Sequence, residues 1–238
     1  MAEGDLSHEV LQQIEEAVNV YIGRREDFFN FATRVERDLV ENQNLRALIH
    51  STKRREKDPS HLRDKLRRKA NTALDEGKAY GINQANLFKE VDDLSGVRLL
   101  HIHTEQLKQI HPTMLEILRF HKYKLREKPV AYIWDVERQQ FLKDLGFKVV
   151  IRPSLYTSVH YIVQPHWEPI GCEIQVRTLA EELWGEVSHT INYPHPTKSQ
   201  ACAEQLAVLA RIASGCTRLV DSIFTSLAEH EKAFPRDN

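Results

Sequence analysis

Glu173-Ile174-Gln175-Val176-Arg177-Thr178 is the stretch from which the rest of the chain can be read. Side chains alternate across a strand, so Glu173, Gln175 and Arg177 share one face and Ile174 and Val176 the other. The apolar pair anchors in a core. The opposite face presents a carboxylate, an amide and a guanidinium in one row, an arrangement that belongs against a charged ligand. Upstream, Asp92-Asp93-Leu94-Ser95-Gly96-Val97-Arg98 places a second carboxylate directly before another apolar run. Two carboxylates at strand ends, among many lysines and arginines, point to a metal ion and phosphates.

Working outward, strands and helices alternate. Residues 7–45 have helical spacing, with Ser7 as N-cap and a break expected near Gly23. A short strand is expected over 47–52, then a basic block over 53–69. Within that block Asp58 caps a helix and Pro59 starts it. Strands are expected over 97–103, 130–134, 147–151, 159–163 and 172–178, with Pro153 in a turn between the third and fourth of these. Helices are expected over 105–123, 136–145 (ended by Gly146) and 179–190. The last of these carries an apolar stripe of Leu179, Leu183, Val187 and Ile191. Pro194 and Pro196 break the chain before a long helix over 200–234. The expected fold is α/β, with a central mixed sheet of about five strands flanked by helices. Three segments follow: an N-terminal helical segment (1–46), a central domain (47–195) and a C-terminal helix (196–238).

Bulk properties exclude several classes. The 238 residues are 41% hydrophobic, and 33 basic residues balance 34 acidic ones to a net charge of −1. That disfavours polyanion binding by the whole surface and leaves room for a local basic site. No apolar run approaches the ~20 residues of a membrane helix, and residues 1–8 are too polar for a signal peptide. Cys172, Cys202 and Cys216 show no ligand spacing, so a reduced, cytoplasmic protein is expected. His101 and His103 alternate in a strand without a third ligand, which argues against zinc. No Walker loop, GxGxxG or nucleophile elbow is present.

Four constellations carry chemistry. Arg55 and Lys57 share a face if the segment before Asp58 is extended, and His61, Lys65 and Arg68 share a helix face after it. A phosphate chain suits that layout; a solvated charged helix is the alternative. Asp93 suits Mg²⁺, which takes one or two carboxylates plus substrate phosphates; capping the turn is the alternative. Tyr156, Ser158 and His160 share one face, either lining a pocket or belonging to an ordinary hairpin. His189 lies off the apolar stripe of its helix, with Glu182, Glu186 and Tyr193, at the surface or within reach of the Glu173 row.

Taken in order, Arg55-x-Lys57 with Lys65, Asp93 to Arg98, Arg152-Pro153 with Tyr156-x-Ser158-x-His160, Glu173 to Thr178, and Trp184 with His189 and Asn192-Tyr193 resemble the synthetase domain of the RelA/SpoT family. The resemblance spans about residues 47–193. It implies a nucleotidyltransferase-like fold and a pyrophosphokinase that makes the alarmones ppGpp and pppGpp from ATP and GDP or GTP. It implies Mg²⁺ held by Asp93 and Glu173, which are then the catalytic residues. Glu173 either completes the metal site or takes the proton from the attacking hydroxyl. ATP falls to Arg55, Lys57, His61, Lys65 and Arg98, the acceptor nucleotide to Tyr156, Arg152, His160, Gln175 and His189. The chain contains no His-Asp dipeptide, as the family's hydrolase domain would need, so a small stand-alone synthetase is expected. Two positions depart from the pattern. Leu155 stands where the family commonly has glycine, and leucine takes positive φ only at a cost. Glu182 stands where some small synthetases carry asparagine. Toxin-like relatives supply the alternative acceptors, the 3′ end of tRNA or an adenine nucleotide, with a neutralising antitoxin as partner. A second alternative is a catalytically idle binder of nucleotides or RNA. The terminal helices are the expected contacts of a homo-oligomer.

Overall fold

The computed structural model describes residues 6–193 and 196–234. Pro194, expected to break the chain together with Pro196, lies outside them. The chain opens with α1 (His8–Val40), capped by the Ser7 hydroxyl, which accepts from the Val10 amide. The expected break at Gly23 does not occur. Ile14, Val18 and Tyr21 before it bury in the same core as Phe28, Phe31 and Val35 after it. That packing outweighs the ~1 kcal/mol cost of a glycine in a helix. The break comes later, where the Asn42 side chain accepts from the Leu45 amide and starts α2 (Gln43–Leu48).

The first strand, β1 (Ser51–Glu56), begins later than expected and takes the first part of the basic block into the sheet. Helix α3 (Pro59–Asp75) starts as the sequence indicates, with Asp58 accepting from the Ser60 and His61 amides. Then come α4 (Leu87–Glu90), β2 (Ser95–His101), α5 (Leu107–Phe120), β3 (Lys124–Leu125), β4 (Val130–Ile133), α6 (Gln139–Asp144), β5 (Lys148–Ile151), β6 (Ser158–Gln164), β7 (Cys172–Thr178), α7 (Leu179–Asn192) and α8 (Gln200–Ala233).

The sheet is mixed and has seven strands, ordered β1-β2-β7-β6-β4-β5 with β3 paired to β6. Two-residue β3 is too short to leave a periodic signature. Strands β5 and β6 flank the Pro153 turn, yet they form no hairpin, because β4 lies between them. The central pair β2–β7 is parallel, while β1–β2 and β6–β7 are antiparallel.

The two faces of the sheet differ. Val97, Leu99, Ile174 and Val176 enter the apolar core that contains Tyr21, Phe28, Leu62 and Leu66 of α1 and α3. Arg98, Gln175 and Arg177 point to the other face, which α7 covers. This corrects the expected orientation of α7. Leu179 and Leu183 of the expected core stripe are 38% and 59% exposed, while Glu182 and Trp184 are buried. A helix lying on arginines turns its carboxylates inward. Helix α8 packs on α7 through Leu206, Ala210 and Ala213, and leaves Ile212, Leu219, Ile223 and Leu227 exposed, although their spacing suits a core-covering face. No helix of the described residues is long and apolar enough to cross a membrane.

Candidate active site

Parallel pairing sets Gly96 opposite Glu173, which brings Asp93, three residues earlier, toward the Glu173 carboxylate. A Cβ at position 96 would stand 2.8 Å from the Glu173 carbonyl oxygen, so only glycine permits this approach. The Asp93 carboxylate accepts from Lys57 Nζ at 2.9 Å and Lys65 Nζ at 2.6 Å. Lys57 is 3% exposed. Its backbone is fixed by its N–H, which donates to Leu94 O at 3.0 Å, and by the Tyr21 hydroxyl, which donates to Lys57 O at 2.7 Å. Helix α1 thereby braces the site. The neighbouring acid, Asp92, turns elsewhere and accepts from Arg126 at 2.8 Å. Burial pushes the Asp93 pKa up, but Lys65 and Lys57 overcome it and hold the carboxyl well below the usual range.

Glu173 accepts from His160 Nδ1 at 2.7 Å and from Gln175 Nε2 at 2.6 Å. Burial again raises its pKa, and the nearby charge of Asp93 adds to that. His160 and Gln175 outweigh both, and the group stays below its ordinary value. Asp93 and Glu173 are thus two ionised carboxylates within electrostatic range of one another.

Beyond Glu173 the hydrogen bonds continue. His160 donates from Nδ1 to Glu173, and its Nε2 lies in hydrogen-bond contact with the Tyr156 hydroxyl at 2.9 Å. Tyr156 in turn accepts from Arg177 at 2.6 Å, and the guanidinium lies 5.0 Å from its ring centre. Arg177 also donates to Gln175, Ser158 and Glu182. A Cβ on Gly185 would stand 2.8 Å from Arg177 Nη1, so this glycine makes room for the guanidinium. Leu155 does take the left-handed conformation, at φ 62°. Arg152 is exposed and stacks on Tyr132 at 4.6 Å, and Tyr132 meets the His160 ring edge-on at 4.8 Å. Tyr132 belongs to none of the sequence constellations; its signal is the alternation of 130–134, which puts it opposite Ser158.

A cleft of about 560 Å³ separates this network from the basic side, lined by Arg55, Arg98, Tyr156, Gln175, Arg177 and His189 among others. Arg98 does not project freely into it. It donates to Glu182 at 2.7 Å and also to Glu186, which pairs with Lys53 at 3.3 Å. Burial raises the Glu186 pKa, but Arg98 and Lys53 bring it down to about 2. His189 stacks on Tyr193 at 4.6 Å, and Tyr193 meets His61 edge-on at 4.5 Å. Burial and then the charge of Arg55 lower the His189 pKa. His189 therefore contacts the side of Arg55 and His61, and shares the cleft with Tyr156 and Gln175.

The sequence from 54 to 198 matches the family model described as "Region found in RelA / SpoT proteins". The chain belongs to the RelA/SpoT family. The RelA/SpoT region contains every expected site residue from Arg55 to His189 and leaves out α1, with Tyr21, and α8. Among solved structures, the small alarmone synthetase 1 from Bacillus subtilis superposes with a TM-score of 0.60 at 17% identity, covering 88% of this chain and 96% of that one. A GTP pyrophosphokinase family protein from Streptococcus pneumoniae gives 0.58 at 19%, covering 97% and 100%. The Bacillus subtilis enzyme bound to its product pppGpp gives 0.57 at 18%, covering 87% and 96%. At these identities the likeness is one of fold. No curated protein matches the sequence significantly.

The divalent cation implied by the RelA/SpoT resemblance can be tested against this donor set. Among the described residues no three metal-binding side chains cluster. Asp93 and Glu173 offer two ionised carboxylates with lysines alongside, which suits a hard cation that takes its remaining ligands from water and phosphate. The residues fit Mg²⁺.

Proposed function

We propose that this protein is a pyrophosphokinase that transfers the β,γ-pyrophosphoryl group of ATP to the 3′-hydroxyl of GDP or GTP. The observation that carries the reading is the pair Asp93 and Glu173, both ionised, between two lysines and the Tyr156–His160 network. Family membership supports it, and so does the Bacillus subtilis relative that was solved with its product pppGpp.

Lys57 and Lys65, which donate to Asp93 here, serve the phosphates of ATP in this reading. Arg55 and Arg98 flank the adenine, with His61 and His189 behind them. Tyr156, Gln175, His160 and Arg152 serve the acceptor. The hydroxyl oxygen attacks the β-phosphorus, the bond from that phosphorus to the α-phosphate oxygen breaks, and AMP leaves. Glu173 receives the hydroxyl proton, with His160 orienting the carboxylate. Mg²⁺ held by Asp93 and Glu173 would neutralise charge on the phosphates.

The test is purified protein with labelled ATP, Mg²⁺ and, in parallel, GDP, GTP, ADP and tRNA. The expected result is AMP and a labelled guanine nucleotide. Label on tRNA or an adenine nucleotide alone would reassign the acceptor, and no transfer to any of the four would overturn the proposal.

A further inference from the structure

Leu155 sits between two parts of the molecule that the chemistry above does not connect. Its backbone is left-handed, at φ 62°, which a leucine takes only under constraint from its surroundings. The next residue is Tyr156, whose hydroxyl begins the hydrogen-bonded path through His160 to Glu173. The side chains of both residues meet one small cluster, and the hydroxyl of Tyr156 reaches out of it to His160. Leu155 packs, as Tyr156 does, against Trp184 of α7 and Ala210 and Ala213 of α8, with Leu209 alongside. Trp184 is itself tied to α8, donating from Nε1 to the Leu206 carbonyl at 3.0 Å. Beneath the cluster lies a cavity of about 20 Å³, lined by Leu155, Trp184, Ala210 and Ala213 among others. That is room for about one water, so the seat holds Leu155 without being tightly filled.

We propose that Leu155 is a positioning residue: seated on α8 and Trp184, it holds the backbone in the left-handed turn that presents Tyr156 to the acceptor. The C-terminal helix then acts on the acceptor side of the cleft through the backbone turn at Leu155, in addition to the packing of Tyr156 on the same cluster. The strain and the anchor belong together. An unanchored L-residue would leave positive φ, and a glycine would need no anchor to stay there. The functional half of this inference rests on the reading of Tyr156 as an acceptor-side residue; the anchor itself does not.

Three variants separate the possibilities. Leu155→Ala keeps the backbone cost and removes the anchor. Leu155→Gly removes both. Leu155→Met keeps the volume and flexibility to refill the seat. Hydrogen exchange over residues 152–157 reads the turn directly and needs no nucleotide. Expected exchange is fastest in L155A, intermediate in L155G and close to wild type in L155M. GDP binding should weaken in the same order, by about tenfold in L155A, or ~1.4 kcal/mol, with ATP binding unchanged. A side chain that only contributes packing would give the opposite order, with glycine worse than alanine, and that order overturns the inference. So does unchanged exchange in all three. Altered exchange in the expected order, in a protein whose wild type binds no GDP, would retain the anchor and overturn both the acceptor reading and the role of Leu155 in it. The double variant L155A/A213G checks the seat: adding A213G should cost no further GDP affinity if the two residues act through one contact, and an additive loss removes α8 from the proposal.

Discussion

Arg98 of β2 and Glu182 of α7 meet at 2.7 Å, with side chains only 11% and 10% exposed. The second carboxylate oxygen of Glu182 takes Arg177 of β7 at 3.1 Å. One buried acid thus joins an arginine of β2, on the proposed ATP side, to one of β7, on the proposed acceptor side. In Glu182→Gln the amide offers one acceptor and no charge, so one arginine loses a charge-assisted bond. The expected cost is about 1.5–3 kcal/mol of stability, seen as a lower urea midpoint with an unchanged slope. An unaltered midpoint would contradict the bridging role.

Glu173→Gln keeps the shape of the side chain and removes the carboxylate that His160 and Gln175 hold in place. Product formation should fall by at least ~10², with the circular dichroism spectrum preserved. Activity within threefold of wild type would remove Glu173 from the chemistry. Asp93→Asn is the less clean probe. It deprives buried Lys57 of its anionic partner and should also destabilise the fold, by about 3 kcal/mol.

Gly96→Ala places a methyl group 2.8 Å from a backbone oxygen of the neighbouring strand. Backbone cannot swing aside as a side chain can, so β2 and β7 must part. A stability loss of about 1–3 kcal/mol is expected. Activity should fall further than the loss of folded protein explains, because Asp93 and Glu173 separate. A variant whose activity simply tracks its folded fraction would refute that coupling.

Acid should unfold the protein through these same groups. Asp93 and Glu173 have lowered pKa values in the folded chain, against ordinary values of 3.8 and 4.5. The unfolded state therefore binds more protons as pH falls, and stability is lost in that direction. Their contribution is fully present above about pH 5.5 and declines below it. Glu186 is nearly half exposed and adds little. Melting temperature should be flat from neutrality to that point and then drop. Lys65→Met, which removes one cation from Asp93, should shrink the acid-sensitive component. A melting temperature that rises on acidification would contradict the assignment.

Much of this arrangement is legible in the sequence, and the gaps have physical causes. The alternation of Cys172–Thr178 gives the strand and its polar row, because a period of two is a local property. Asp58-Pro59 gives the start of α3 for the same reason. The partners of Asp93 are not local: Lys57 and Lys65 stand 36 and 28 residues away, and composition alone cannot tell a lysine on a carboxylate from one in solvent. The orientation of α7 misleads because an apolar stripe normally faces inward, whereas this helix lies on arginines. Gly23 misleads because helix propensity is weaker than the burial on either side of it. Leu155 gives no local sign of left-handed backbone, because the residues of α7 and α8 against which it packs are distant in sequence.

The strand order has one more consequence. β7 is the last strand in the chain, yet it lies in the middle of the sheet, between β2 and β6. Until residues 172–178 have left the ribosome, the nascent chain holds two partial sheets, each with an unpaired edge open to other chains. The strand that carries Glu173 closes both at once. A chain truncated before Cys172 would therefore lack more than the Glu173 carboxylate: it would present two sticky edges, and its expected fate is aggregation.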